Sequence, residues 1–299
     1  MINNRLKTSF GNVNIDRIIQ TTLSEDRYGN DITTKSIGKS PGKGKAKIIA
    51  KQNGIICGID IAIRVFKLTD SSLRAKNYLS DADTIKRGQT ILEITGRKSS
   101  ILKSERTALN FLTHLSGIAT YTHDFVKELR GTKAVLLDTR KTLPCLRDLQ
   151  KYAVTKGGGK NHRRDLSDMY LLKENHIQSA GGIDKALETA INHRKKVTSR
   201  RGSGSPLIEV EVQNIEELKS ALQFEIDRIM LDNFSPAMVK KAVKITRELS
   251  KNKKRIELEV SGGITISNIR KYALTGVDYI SVGALTHSAP SFDLSLIIE

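Results

Sequence analysis

Apolar residues recur along the chain with two different periods, and the pattern changes near residue 115. Val13, Ile15, Ile18, Ile19 and Leu23 are spaced for one face of a helix, which the polar cluster Glu25, Asp26, Gly29, Asn30 and Asp31 ends. After the Gly/Lys-rich loop SPGKGK at 40–45 come the short runs AKIIA, GIICGI and TILEIT, separated by turn residues such as Asp81, Asp83 and Gly88. These are predicted strands of an antiparallel or sandwich-like sheet. From Ser104 a long helix is predicted. Ser104 is placed to cap it, Ala108, Leu109, Phe111, Leu112, Leu115, Phe125, Val126 and Leu129 form its stripe, and Gly131 can close it. Gly117, inside that span, permits either a bend or close packing.

Beyond this helix, strand and helix signals alternate. Predicted strands are AVLLD at 134–138, MYLL at 169–172, LIEVEV at 207–212, RIMLD at 228–232, IELEV at 256–260 and YISVG at 279–283. Amphipathic segments such as 215–224 and 238–249 lie between them. Such alternation implies a parallel sheet with helices outside. Arg140, Lys141, Lys173, Glu211, Asp232, Ser261 and Gly283 fall at or just past successive strand ends. Polar groups contributed all around a mouth fit a barrel better than a doubly wound sheet, which gathers its ligand groups at one switch point. A full eight-unit barrel needs about 250 residues, so this one is expected to be incomplete, with fewer than eight strands. The predicted fold class is α/β: an N-terminal α/β sandwich domain over 1–115, joined by the tail at about 289–299, and an α/β barrel over 116–288.

Composition narrows the partners. Fifty Lys and Arg against 32 Asp and Glu give a net charge of +18, which favours anionic ligands. Basic clusters at 193–201 and 251–255 sit in polar stretches between apolar segments. With aromatics at 5% and no Trp, a stacking platform for bases is poorly supplied, so no nucleic-acid partner is expected. Cys57 and Cys145 show neither zinc nor disulfide spacing, which fits a reducing cytoplasm. No signal-peptide core is visible, and no uncharged apolar run approaches the ~20 residues that span a bilayer.

The richest stretch is 137–176, with LDTRKT, GGGKNHR and LLKENH. Arg140, Lys141, His162, Arg163 and Lys173 gather there around a triple glycine. Arg offers a planar fork for carboxylate or phosphate and Lys a compact charge, so together they point to a polyanionic substrate. The loops SGGIT at 261–265 and SVGALTHS at 281–288 follow the last two strands, where glycines let backbone amides approach a phosphate. Glu211 and Asp232 end adjacent strands, where a carboxylate pair can hold Mg²⁺ or bind sugar hydroxyls. Glu209 shares the face of Glu211 and leaves open that acids on this strand are salt-bridge partners of barrel lysines. GGGKN is not a Walker A loop, because no Ser or Thr follows Lys160.

The segments DTRKTLPCLRDLQKYAVTKGGGKNHR, LLKENHI, IEVEV, IMLDNF, VSGGI and SVGALTHS carry a specific resemblance, together with ERTALNFLTHLSGIAT at 105–120 and EDRYGNDITT at 25–34. In this order, over nearly the whole chain, they resemble the quinolinate phosphoribosyltransferases, the decarboxylating nicotinate-nucleotide pyrophosphorylases. The resemblance implies a type II phosphoribosyltransferase that joins quinolinate to 5-phosphoribosyl-1-pyrophosphate (PRPP) with Mg²⁺. Pyrophosphate and CO2 leave, and nicotinate mononucleotide forms for NAD synthesis. It also implies a chain end that returns to the first domain, and at least a homodimer in which Arg106 of the partner subunit enters the barrel mouth. Arg140, His162, Arg163 and Lys173 correspond to quinolinate-binding residues. Lys141 and Lys173 lie near the reacting groups and the pyrophosphate, and Glu211 and Asp232 engage the ribose and metal. Ser261, Gly262, Gly263, Gly283, Ala284 and His287 hold the 5′-phosphate.

Two departures stand out. Cys145 replaces the family's usual Gly, so its turn is expected to be strained or altered, and the insert-like segment 193–205 is longer and more basic than the family pattern and is expected to form a mobile surface loop. A pyrophosphorylase-like protein linked to molybdenum transport would share the barrel, but Arg106, Arg140 and Arg163 argue for a dicarboxylate. A non-enzymatic nucleic-acid binder would account for the charge but not for the carboxylates at strand ends.

Overall fold

The structure, a computed structural model, describes residues 14–36, 42–201, 205–250 and 254–299. Val13, Ser40 and Pro41 of the Gly/Lys-rich loop, residues 202–204 of the basic insert and 251–253 of the second basic cluster lie outside the described residues. Backbone contacts divide the chain into two compact units. One comprises Met1–His123, Thr142–Gly158 and Ala284–Glu299, the other Asp124–Lys141 and Gly159–Gly283.

The first unit is built on an antiparallel sheet. Its strands are β1 (Lys43–Ala50), β3 (Arg74–Asn77), β5 (Thr90–Arg97) and the C-terminal strand Leu294–Ile298, with β2 (Gly54–Ile55) and β4 (Thr84–Ile85) paired separately. The C-terminal strand lies outside β1, pairing Ala46 with Ile298 and Ala50 with Leu294, so the chain end does return to this domain. The first helix is Ile15–Glu25, started by Asn14, whose side chain accepts from the Arg17 amide.

Three elements differ from expectation. Residues 193–201 of the basic insert, expected as a loop, end the helix Ile183–Arg201. Only Gly54–Ile55 of the run GIICGI is a strand, because a helix, Ile59–Thr69, begins directly after it. Ile59, Ile61, Ala62, Ile63, Val65 and Phe66 are buried, while Asp60, Arg64 and Lys67, at helical spacing, form its polar face. Its amino end is held by a distant acid: Asp81 Oδ1 accepts from the Gly58 and Ile59 amides at 3.0 Å each. The long helix starts at Lys98, not at Ser104, and runs to Glu128. Ser104 is therefore a fully buried interior position whose hydroxyl bonds back to the Ser100 carbonyl at 2.7 Å. Gly117 serves close packing: a Cβ there would lie 2.1 Å from the Pro290 carbonyl oxygen.

The second unit contains six parallel strands: β6 (Val135–Leu137), β7 (Tyr170–Leu172), β8 (Ile208–Val212), β9 (Arg228–Asp232), β10 (Glu257–Ser261) and β11 (Tyr279–Ser281). Their order is β6-β11-β10-β9-β8-β7. Two strands short of eight, this is an incomplete α/β barrel, as its length foretold. The helices between strands are capped from sequence: Asn214 accepts from the Glu217 amide to start Ile215–Ala221, and Ser235 with Pro236 at the first turn starts Pro236–Leu249.

Candidate active site

Position along each strand and side-chain contact together sort the polar residues of the barrel into two tiers. On β9, Arg228, Met230 and Asp232 share one face, and Arg228 pairs in register with Glu209 of β8 and Glu257 of β10. Asp232 pairs with Ser261 at the carboxyl ends of the strands. Glu211 lies two residues beyond Glu209 on β8, and Glu259 two before Ser261 on β10. One tier, containing Glu211, Asp232 and Ser261, is therefore at the mouth. Another joins Glu209 and Glu259, each two residues (roughly 6–7 Å) before Glu211 and Ser261 on its own strand, with Arg228, which starts four residues before Asp232 and reaches Glu259 through its guanidinium.

The mouth tier has unbalanced charge. Burial and the neighbouring Asp232 carboxylate raise the Glu211 pKa, while Lys173 and Lys141 pull it back. Lys173 Nζ stands 3.9 Å from Glu211 Oε2, and half of its side chain is exposed. The two carboxylates, with few protein partners, fit Mg²⁺, which takes one or two carboxylates and completes its shell with water and substrate phosphates. Burial and the adjacent Arg140 lower the Arg163 pKa. The Nε atoms of both arginines are buried with no hydrogen-bond partner among the described residues. Two guanidiniums close enough to repel, each with an unused buried donor, form a receptor for an anion.

The loop that carries Arg163 is strapped to β6. Lys160 donates its amide to Leu136 O and accepts from the Asp138 amide. The fully buried Asp138 carboxylate accepts from the His162 amide at 2.8 Å. This is how LDTRKT and GGGKNHR come together. Asp138 lay in the quoted motif without an assigned role; its place as the residue just past an apolar strand was the available signal.

The deeper tier is neutralised within the protein. His162 Nε2 lies 3.1 Å from Glu209 Oε2 and 3.4 Å from Glu259 Oε2. Arg228 pairs with Glu259 at 3.2 Å and Glu257 at 3.1 Å, and its guanidinium covers the Tyr279 ring at 4.0 Å. The partners of Glu209 are thus His162 and Arg228 rather than barrel lysines. The Arg163 amide donates to His162 Nδ1 at 2.7 Å, so both ring nitrogens of this expected quinolinate residue are engaged inside the protein.

Burial disfavours a charged ring and that amide favours a neutral one, but two carboxylates outweigh a bond of about 1 kcal/mol and hold His162 at about 9. Burial and Glu259 push Glu209 up. Burial also acts upward on Glu259, yet His162, Ser281 and Arg228 hold it low. The donor atoms of His162, Glu209 and Glu259 lie within 4.8 Å of one another, a spacing a metal could bridge. Arg228 already supplies the positive charge, however, and a ring that the two carboxylates keep protonated offers a metal no lone pair. This is a salt-bridge layer. Arg228 and Glu259 had no assigned role from sequence, though the alternation of IELEV puts Glu257 and Glu259 on one face just as IEVEV does Glu209 and Glu211.

Of the expected phosphate residues, Ser261, Gly262 and Gly263 form the turn after β10. Gly262 and Gly263 take φ of +92° and +61°, conformations that favour glycine. The Gly263 carbonyl accepts from Asn268 Nδ2 at 3.0 Å, which fixes the turn. Gly283 follows β11. Ala284 and His287 belong to the first unit, where exposed His287 contacts Ser288 Oγ through Nδ1 at 2.6 Å. Arg106 is exposed on the long helix. Cys145 adopts φ +62°, so the turn keeps the left-handed backbone a glycine would take, with a cysteine in it.

Comparison with known proteins places the chain. The family described as "Quinolinate phosphoribosyl transferase, N-terminal domain" matches residues 31–116, and its C-terminal domain matches 118–297. A carboxylating nicotinate-nucleotide pyrophosphorylase of Mycobacterium leprae is 39% identical over 281 residues, covering 93% of this chain and 95% of the relative. A mitochondrial decarboxylating quinolinate phosphoribosyltransferase of Nicotiana glauca is 37% identical over 302 residues, covering 95% and 82%. The solved nicotinate-nucleotide pyrophosphorylase of Francisella tularensis is 41% identical, with a TM-score of 0.86 over 97% of this chain and 99% of that one.

Proposed function

The chain belongs to the quinolinate phosphoribosyltransferase family, and from that premise we propose that it transfers phosphoribosyl from PRPP to quinolinate with decarboxylation. The products are nicotinate mononucleotide, pyrophosphate and CO2, a step of de novo NAD synthesis. The observation that carries this reading is the pairing of two guanidiniums with unused buried Nε donors, Arg140 and Arg163, with the acid pair Glu211 and Asp232 in one barrel. A dicarboxylate and a phosphorylated sugar use both halves. The alternative linked to molybdenum transport is not favoured by the family match.

Arg140 and Arg163 hold quinolinate by its carboxylates and orient the ring nitrogen toward the sugar. As that nitrogen bonds to the anomeric carbon, the bond to pyrophosphate breaks and positive charge develops on the sugar ring. Glu211 and Asp232 lie where they stabilise it, while Lys141 and Lys173 balance the departing pyrophosphate. Mg²⁺, when held by Glu211, Asp232 and the substrate, neutralises phosphate charge. The alkylated nitrogen is then cationic and stabilises the electron pair left on the adjacent carbon when CO2 departs, and that pair takes up a proton. The turn Ser261–Gly263, with Gly283, binds the 5′-phosphate in this reading.

We take the working unit to be at least a homodimer. The exposed position of Arg106 on the long helix suits the role of Arg106 of the partner subunit in quinolinate binding. The two free cysteines accord with a cytoplasmic setting; no helix among the described residues is long and apolar enough to cross a membrane.

The test is purified protein with quinolinate, PRPP and Mg²⁺, following CO2 release and nicotinate mononucleotide. Turnover with nicotinate and none with quinolinate would refute the substrate. Lys173→Ala and Glu211→Ala are each expected to lower turnover about 10²–10³-fold with an unchanged circular dichroism spectrum. Near wild-type turnover in either removes that residue from the mechanism.

A further inference from the structure

Asn233, immediately after the mouth acid Asp232, has three structural ties, and each involves a piece of the site. Its backbone amide donates to the Ser261 carbonyl at 2.9 Å, continuing the β9–β10 pairing one residue past the strands. Its side-chain Nδ2 donates to Asp232 Oδ2 at 2.8 Å. Its Oδ1 stands 2.2 Å from the point where a Cβ on Gly262 would lie. Gly262 therefore has to be glycine on two counts, its left-handed φ and the carboxamide seated against it.

The backbone of Asn233 is itself left-handed, with φ +56°. Asn tolerates that conformation better than most residues, and it lets the side chain fold back across its own strand end. Asn233 is exposed, so its carboxamide is not held there by packing. What it reaches is Asp232 on one side and the glycine turn on the other.

We infer that Asn233 is a positioning residue that ties the acid ending β9 to the glycine turn ending β10, so that the sugar-binding and phosphate-binding parts of the PRPP site hold one spacing. This rests on the phosphoribosyl-transfer reading above. Nδ2 engages one oxygen of Asp232 and directs the other toward the sugar hydroxyls or Mg²⁺. A neutral donor is needed because the neighbourhood already contains two carboxylates, Glu211 and Asp232.

Two variants separate positioning from folding. Asn233→Asp keeps the shape and tolerance of left-handed backbone but replaces the donor with a charge. Asn233→Gly relaxes the backbone and removes the side chain. Both are expected to fold, and Asn233→Gly to melt no lower than wild type. In steady-state assays with Mg²⁺, the KM for PRPP should rise at least about tenfold in both, the size expected for a lost hydrogen bond to a charged group, and further in Asn233→Asp. The quinolinate KM should stay within about twofold. A PRPP KM within twofold of wild type in Asn233→Gly, or equal rises in both KM values, overturns the inference. Wild-type protein that makes no nicotinate mononucleotide overturns instead the reading on which it rests.

Discussion

Glu209 and Glu211 are the same residue type on the same face of the same strand, two positions apart, and they have opposite relations to the protein. Glu209 is fully buried and meets His162 and Arg228, so its charge is answered from within. Glu211 faces another acid and a lysine 3.9 Å away that is half in solvent. The arginines divide in the same way. Arg228 is bound to two carboxylates and a tyrosine ring, whereas Arg140 and Arg163 keep unused donors. Depth along the strand, rather than residue chemistry, separates charges that hold the barrel together from charges left for a substrate. A tier whose charges are balanced by ion pairs within the protein gains less by binding a ligand than one whose charges are left open.

The strongest attempt to break this contrast is Arg228→Met. Removing one partner leaves Glu209 and Glu259 buried with only His162, and breaking a buried pair in this way costs about 3–5 kcal/mol. Urea unfolding should show that loss, while Lys173→Met at the mouth should leave stability within about 0.5 kcal/mol of wild type. If the two variants unfold alike, the deeper tier is not a structural unit.

The mouth tier was legible from sequence because barrel chemistry gathers at strand ends, and a residue just past an apolar run can be counted there without coordinates. Arg140, Lys173, Glu211 and Asp232 were all found that way. The deeper tier was not. The sequence leaves Glu209 open to lysine partners, because its partners in the fold, His162 and Arg228, come from a loop and from a strand start whose register only the folded sheet fixes. The same limit explains the first unit. Ser104 looked like a cap because the amphipathic stripe begins after it, yet the helix starts at Lys98, directly after β5. Ile59–Thr69 carries a helical period, with Asp60, Arg64 and Lys67 on its polar face, but the apolar run GIICGI leading into it resembles a strand.

A smaller effect sharpens the contrast from the substrate side. Arg140→Lys keeps the charge but loses the planar fork and the unpartnered Nε. If Arg140 is reserved for a carboxylate, the quinolinate KM should rise about 10–100-fold, the equivalent of losing one or two charge-assisted hydrogen bonds. The PRPP KM and the melting temperature should hardly move. A melting temperature lowered with an unchanged quinolinate KM would transfer Arg140 to the structural tier.

The smallest expected effect has the most telling sign. Burial and Asp232 raise Glu211 above its ordinary 4.5, so the folded chain holds that proton more tightly than the unfolded chain. Wild-type stability should therefore fall as pH rises from about 4.5 through the raised value, and stay lowered above it. Glu211→Gln removes the ionising group, so without ligands its melting temperature should exceed wild type at pH 7.5 by ~1–2 °C. The difference should close below pH 4, although phosphoribosyl transfer is lost at every pH. His162 acts in another window: its value rises from 6.5 to about 9, so the stability it contributes is complete below 6.5 and disappears as pH passes 9. Glu211→Gln should leave that second decline untouched. A variant less stable than wild type at pH 7.5 would mean that Glu211 is already satisfied by the protein, and that the mouth of the barrel is no different from its floor.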